Sequence, residues 1–171
     1  MATHPEEVLP AVVERSIELD ADLDDVWRVL TDPEQQGTWL GAAADLDVRP
    51  GGAGHVVDDD GAVREVLVTS VDEARDPAGP LRLTWHWWHE DGPLSTVEIT
   101  ATPTSTGTLV RVVETLDPAT AGVLAGRVIA RAGGKPTACT DADVTEAAWS
   151  GRFGRLGRVL AGCSPVAARR G

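Results

Sequence analysis

Residues 12–31, VVERSIELDADLDDVWRVLT, decide the fold of this chain. The first nine, Val12 to Asp20, alternate in the manner of a half-buried strand. From Ala21 the spacing becomes helical. Leu23, Val26, Trp27 and Leu30 fall at i, i+3, i+4 and i+7 and make one apolar stripe. Asp20 or Asp22 is placed to cap this helix. Asp24 and Asp25 stand in its first turn, where carboxylates favour the helix dipole. Pro33 ends the helix, because proline disfavours helix in the residue before it, and starts a short second helix reaching Trp39.

From there to near position 117 the chain reads as strands. Ala44–Val48 is a strand ending in the turn Arg49-Pro50-Gly51-Gly52. His55–Asp58 and Ala62–Val71 form a hairpin about Asp60-Gly61. Leu81–His89, Ser95–Thr102 and Thr108–Leu116 complete an antiparallel meander with short connections. A final helix starts near Asp141 or Asp143 and runs to about Ala161. Trp149, Phe153, Leu156, Val159 and Leu160 share one of its faces, and Arg152, Arg155 and Arg158 the other. Gly151, Gly154 and Gly157 recur at every third position. Each costs about 1 kcal/mol relative to alanine, which fits close packing of this helix on the sheet. Residues 117–140 read as a mobile insertion and 162–171 as a frayed tail. This order predicts an α+β helix-grip fold in a single domain over 1–171. A curved antiparallel sheet wraps a long C-terminal helix, with two short helices after the first strand and a cavity between sheet and helix.

Composition narrows the function. Net charge is −12 and the pI is about 4.6, which argues against nucleic acid and anionic membrane as partners. The charge is uneven. Residues 119–171 carry eight Lys/Arg against three Asp/Glu, net +5, and residues 1–118 carry seven against twenty-four, net −17. That pattern fits a basic last helix packed beside an acidic sheet. The two cysteines, Cys139 and Cys163, have no second Cys or His at metal spacing. The start, Met-Ala-Thr-His-Pro-Glu-Glu, lacks a basic region followed by an apolar run, so no signal peptide is expected. No apolar run approaches membrane-spanning length. The expectation is a cytoplasmic protein with reduced thiols. Six Trp, one Phe and no Tyr mean that aromatic volume comes almost wholly from indoles.

Val26-Trp27-x-x-Leu30-Thr31-Asp32-Pro33-Glu34, then Trp39, then Arg49-Pro50-Gly51-Gly52, resemble the SRPBCC superfamily. Leu81-x-Leu-Thr-Trp85 and Gly107-Thr108 before the last strand add to the likeness. The branch most similar is the Hsp ATPase activator homologue-like group, related to START domains and birch-pollen-allergen-like proteins. The resemblance covers about residues 10–116 and 141–161 and implies a helix-grip fold with an internal pocket. It also spans polyketide cyclases, ligand carriers and co-chaperone-like modules, so it does not fix one activity. The chain departs from the pattern at Glu114, where the last strand often carries a His, and at 117–140, which is longer than the usual link.

Strand alternation then names a candidate site. Leu81, Leu83, Trp85 and Trp87 share one face of their strand, and Arg82, Thr84, His86 and Trp88 the other. Val97, Ile99 and Ala101, then Val110, Val112 and Glu114, continue the inward set. The expected ligand-binding residues are Trp27, Trp39, Trp85, Trp87, Ile99, Val110, Val112, Glu114, Trp149 and Phe153. A carboxylate at Glu114 is partly desolvated there, the condition under which acid–base work becomes accessible. At the strand end it is otherwise wet or paired with an arginine. His86 and His89, three apart on a strand, face opposite sides, so no metal site is expected. Trp88 on the outer face suggests an oligomer contact, a possible homodimer. No nucleophile elbow, phosphate-cradling loop or cofactor motif is present.

The expected function is binding of a small hydrophobic or aromatic molecule without a cofactor. One alternative is a polyketide cyclase- or aromatase-like enzyme using Glu114 as acid/base. The other is a chaperone-linked or regulatory interaction module.

Overall fold

Seven strands form one antiparallel sheet in the order β1-β7-β6-β5-β4-β3-β2. The computed structural model describes residues 11–73, 79–90, 93–116 and 141–163. The strands are β1 (Val12–Leu19), β2 (Ala43–Leu46), β3 (Ala53–Val57), β4 (Val63–Asp72), β5 (Leu81–His89), β6 (Ser95–Pro103) and β7 (Thr108–Leu116). Helices α1 (Leu23–Thr31) and α2 (Pro33–Trp39) follow β1, and α3 (Asp141–Cys163) comes last. This is the α+β helix-grip arrangement. The 117–140 segment and the tail from 164 lie outside the described residues.

The chain builds these elements for local reasons. The amphipathic stripe of α1 buries Val26, Trp27, Val29 and Leu30. Asp22 stands at its N-cap position without a side-chain cap bond, and Asp32, at the start of α2, accepts from the Glu34 backbone N–H at 2.9 Å. Gly61 turns the β3–β4 hairpin with φ of 86°, a conformation that favours glycine. Gly51, with φ of 82°, donates its N–H to the Val68 carbonyl at 2.8 Å, tying the β2–β3 turn to β4 beside an irregularity between Val68 and Ser70. β1 pairs along its whole length with β7, Val12 opposite Thr115 through Leu19 opposite Thr108, so the first and last strands are neighbours.

The core lies between the inner sheet face and the helices. Leu83, Trp85 and Trp87 on β5 are buried, as are Val97, Ile99 and Ala101 on β6 and Val110 and Val112 on β7. From α3 come Trp149, Phe153, Leu156 and Leu160. Burying each large apolar side chain is worth about 1.5–3 kcal/mol.

Three expectations need correction. The α3 glycines do not mark close approach to the sheet. Among the described residues, a β-carbon on Gly151 would meet nothing within 4 Å, on Gly154 only Arg158 Nη1 at 3.8 Å, and on Gly157 only Leu19 Cδ2 at 3.7 Å. Arg152 does not lie opposite the apolar face of α3 but is buried with it, 4% exposed. Trp88 is half-buried rather than exposed; among the described residues the large apolar side chains that stand out are Val12, Val63 and Leu67.

Candidate functional site

Period-two alternation along β7 turns Val110, Val112 and Glu114 inward together. Glu114 sits opposite Val97 on β6 and Val13 on β1 and is 1% exposed. It is therefore not wet at the strand end, and among the described residues no arginine hydrogen-bonds to it. A buried carboxylate needs donors, and two indoles supply them. Trp87 Nε1 donates to Oε1 at 2.8 Å, and Trp149 Nε1 donates to Oε2 at 2.7 Å. One carboxylate thus joins β7 to β5, two strands away, and to α3.

The indole rings are arranged to allow this. Trp87 and Trp149 stack with centroids 5.5 Å apart and planes 27° from parallel, so both N–H edges reach the same group. Trp85 tilts against Trp87 at 5.9 Å, and Phe153 tilts against Trp149 at 6.1 Å. These are favoured separations for offset or edge-to-face pairs. The result is a continuous aromatic row from β5 to α3 with one carboxylate beside it.

Cations cover the faces of the same rings. The Arg152 guanidinium lies 5.1 Å from the Trp87 centroid and 5.0 Å from that of Trp149, and Arg64 lies 4.6 Å from Trp87. A carboxylate at the N–H edge and a cation over the face polarise an indole in the same sense. Arg152 Nε donates to the Leu40 carbonyl at 2.7 Å, and its Nη2 donates to Asp58 Oδ1 at 2.7 Å. Asp58 Oδ2 accepts from Arg64 Nε at 2.7 Å. Burial pulls the Arg152 pKa below its ordinary value, and Arg64 and Arg155 add to that pull, while Asp58 and Glu114 oppose it. Arg155 donates to the Trp39 carbonyl at 3.1 Å and to Asp59 at 2.8 Å. An open cleft of 340 Å³ lies over this cluster, lined by Asp58, Asp59, Asp60, Arg64, His89, Ala148, Arg152 and Arg155. The sequence carried one clue to it: Arg152 is i+3 from Trp149 and i−4 from Leu156, inside the apolar stripe of α3.

Eight of the ten expected site residues meet between β5–β7 and α3: Trp85, Trp87, Ile99, Val110, Val112, Glu114, Trp149 and Phe153. All are buried. The other two belong to the same buried core and make indole bonds within the α1–α2 region and to Glu73. Trp39 Nε1 donates to the Val29 carbonyl at 3.1 Å and pins α2 to α1, and Trp27 Nε1 donates to Glu73 at 3.4 Å. His86 and His89 take separate partners, Thr96 Oγ1 at 3.1 Å and the Val63 carbonyl at 3.0 Å. A second cleft, of 490 Å³, opens between Asp20–Asp25 and the β6–β7 turn. None of the eight lines either cleft. Among the described residues no helix is long and apolar enough to cross a membrane.

Comparison with known proteins agrees with this fold. Residues 20–149 match the family model of the Activator of Hsp90 ATPase homolog 1-like protein. No curated protein matches the chain in sequence. Among solved structures, the chain is similar to DynU16, a protein of the dynemicin biosynthetic locus, at 24% identity and a TM-score of 0.63. That match covers 88% of this chain and 47% of DynU16, so the chain spans about half of that protein. It is also similar to protein MLL2253 from Mesorhizobium loti, at 23% identity and a TM-score of 0.62, over 91% of this chain and 100% of the other. Protein BH1534 from Bacillus halodurans follows at 19% identity and a TM-score of 0.61, over 88% and 96%. At these identities the likeness shows a shared fold. With three quarters of its length inside the family match and the helix-grip sheet in place, the chain belongs to the Activator of Hsp90 ATPase homolog 1-like family.

Proposed function

We propose that this chain binds a small apolar or aromatic molecule between the inner face of β5–β7 and α3, with Glu114 as its polar anchor. One observation carries the reading: the Glu114 carboxylate is kept 1% exposed inside an indole-rich interior, oriented by two N–H donors. A charge there is a poor choice for stability alone, because apolar residues of similar volume usually serve a core as well or better. A carboxylate offers about four lone-pair sites, and the indoles use two. Among the described residues, each oxygen therefore keeps a lone pair that a ligand hydroxyl or amine can use. The apolar walls supply affinity and the carboxylate supplies orientation, the usual division in small-molecule sites. DynU16, which shares the fold, belongs to a biosynthetic locus. That supports a small-molecule setting and nothing finer.

A thermal-shift screen against aromatic polyketides, flavonoids, fatty acids and sterol-like compounds tests this. A ligand at 100 times its Kd stabilises by ~2.7 kcal/mol. For a chain of this size that raises Tm by roughly 5–10 °C. A hydroxyl-bearing hit should lose most of its shift in Glu114→Gln. A flat result across the whole panel would reject the reading in favour of a protein partner. Conversion of a hit by the wild type, lost in Glu114→Gln with binding retained, would make Glu114 an acid/base rather than an anchor.

A further inference from the structure

Trp85 Nε1 is buried and has no hydrogen-bond partner among the described residues, in a side chain that is 1% exposed. Its neighbours are not like this. Trp27, Trp39, Trp87 and Trp149 each donate their indole N–H to an acceptor. An indole nitrogen is a donor only, so no rearrangement of its own hydrogen turns it into something the core could satisfy differently. Buried polar groups are paired in the great majority of cases, and each exception asks for a cause. The sheet offers no cure, because Trp85 stands opposite Val68 on β4 and Val97 on β6. Yet Trp85 belongs to the same aromatic row as the carboxylate clamp, with its ring 5.9 Å from that of Trp87.

We propose that Trp85 Nε1–H is the specificity donor of the interior site, left free for a hydrogen-bond acceptor on the bound molecule: the carbonyl oxygen of a ketone, quinone or ester. The inference rests on the ligand-binding reading above and sharpens it. Glu114 accepts and Trp85 donates, two residues along β5 from the indole that holds Glu114. The site then selects an aromatic molecule that carries a carbonyl over the hydrocarbon of the same shape. A site built to hydrogen-bond one group discriminates against analogues lacking it, because the protein's own donor is then left unmade.

The test uses the full chain and two probes matched in size, 2-acetylnaphthalene and 2-ethylnaphthalene. Binding is measured by titration, and the indole N–H resonances are followed by NMR, with the Trp85 signal identified by its loss in Trp85→Phe. The acetyl probe is expected to bind about five- to tenfold more tightly than the ethyl probe, the worth of one net hydrogen bond. The acetyl probe alone should move the Trp85 N–H resonance downfield. In Trp85→Phe the two affinities should become equal, and any loss of packing affects both probes alike. If both bind with a ratio near one, or the ratio survives in Trp85→Phe, the donor role is overturned while the ligand-binding reading stands. If neither probe binds, this proposal is overturned, and the ligand-binding reading falls with it only if the wider thermal-shift panel is also flat. A wild-type Trp85 resonance that stays in place on adding the acetyl probe also overturns the proposal, whatever Trp85→Phe does to folding.

Discussion

Trp149 Nε1 reaches from the last helix to Glu114 Oε2 on β7 across 2.7 Å of buried space. The seat of α3 on the sheet is therefore set by a charge-assisted hydrogen bond as well as by apolar contact. Such bonds are roughly twice as strong as neutral ones. Trp149→Phe keeps an aromatic ring and deletes the donor. It should cost about 2–4 kcal/mol in urea unfolding, from the donor lost to a buried charge plus the smaller ring. Combined with Glu114→Gln, it should show a coupling of about 1–3 kcal/mol. Additive costs would mean that Glu114 does not hold the helix.

Arg152 makes a different kind of test, since its charge and its shape can be separated. The guanidinium bonds the Leu40 carbonyl and Asp58 while lying over two indoles. Lysine keeps the charge but has neither the fork nor the flat face. Arg152→Lys should lose about 2–3 kcal/mol, the penalty of leaving buried partners unmade. Arg158→Lys, on the exposed side of the same helix, should stay within about 0.5 kcal/mol. Equal effects at the two positions would show that Arg152 acts only as surface charge.

Much of this architecture was legible because strands repeat every two residues. The inward sets on β5, β6 and β7 follow from alternation alone, and Glu114 follows from counting on from Val110 and Val112. The pairing of Glu114 with two particular indoles was not legible. It depends on a β5 residue and an α3 residue, 27 and 35 positions away, arriving at one point. The bonds made by Trp27 and Trp39 were illegible for a related reason. Their apolar bodies join the same core, and only the fold brings their N–H groups to Glu73 and to the Val29 carbonyl. Arg152 was misread because composition marks arginine as polar, whereas its place in the stripe beside Trp149 and Leu156 marks it as buried.

The α3 glycines carry a prediction opposite to the one their spacing suggests. With no close approach to defend among the described residues, Gly151→Ala and Gly154→Ala should each stabilise by about 0.5–1 kcal/mol through helix propensity. Gly54→Ala should do the reverse, because its β-carbon would collide with the Asp45 carbonyl oxygen and lie 2.8 Å from Leu46 Cα. Thermal unfolding of the three variants decides the matter. A destabilised Gly151→Ala would show that the helix position is reserved for contact with something else.

Glu18 ties the end of β1 to the β6–β7 turn and gives the fold a measurable acid response. Thr106 Oγ1 donates to Glu18 Oε1 at 2.6 Å and Thr104 Oγ1 donates to the same oxygen at 3.1 Å. These two bonds, that of Thr106 first, hold the Glu18 pKa below its ordinary 4.5. The folded state then binds fewer protons than the unfolded one in this range. The stabilisation is therefore present above pH 4.5 and lost as pH falls through the lower folded value. Thr106→Ala should raise the Glu18 pKa back toward 4.5 in an NMR titration and make the loss of stability below that pH shallower. The change in stability should be small, because the carboxylate is solvent-exposed and water screens it. A Glu18 pKa that does not move on removing the Thr106 hydroxyl would show that the turn is held by its backbone, where the Thr104 N–H donates to the Gly107 carbonyl at 2.8 Å.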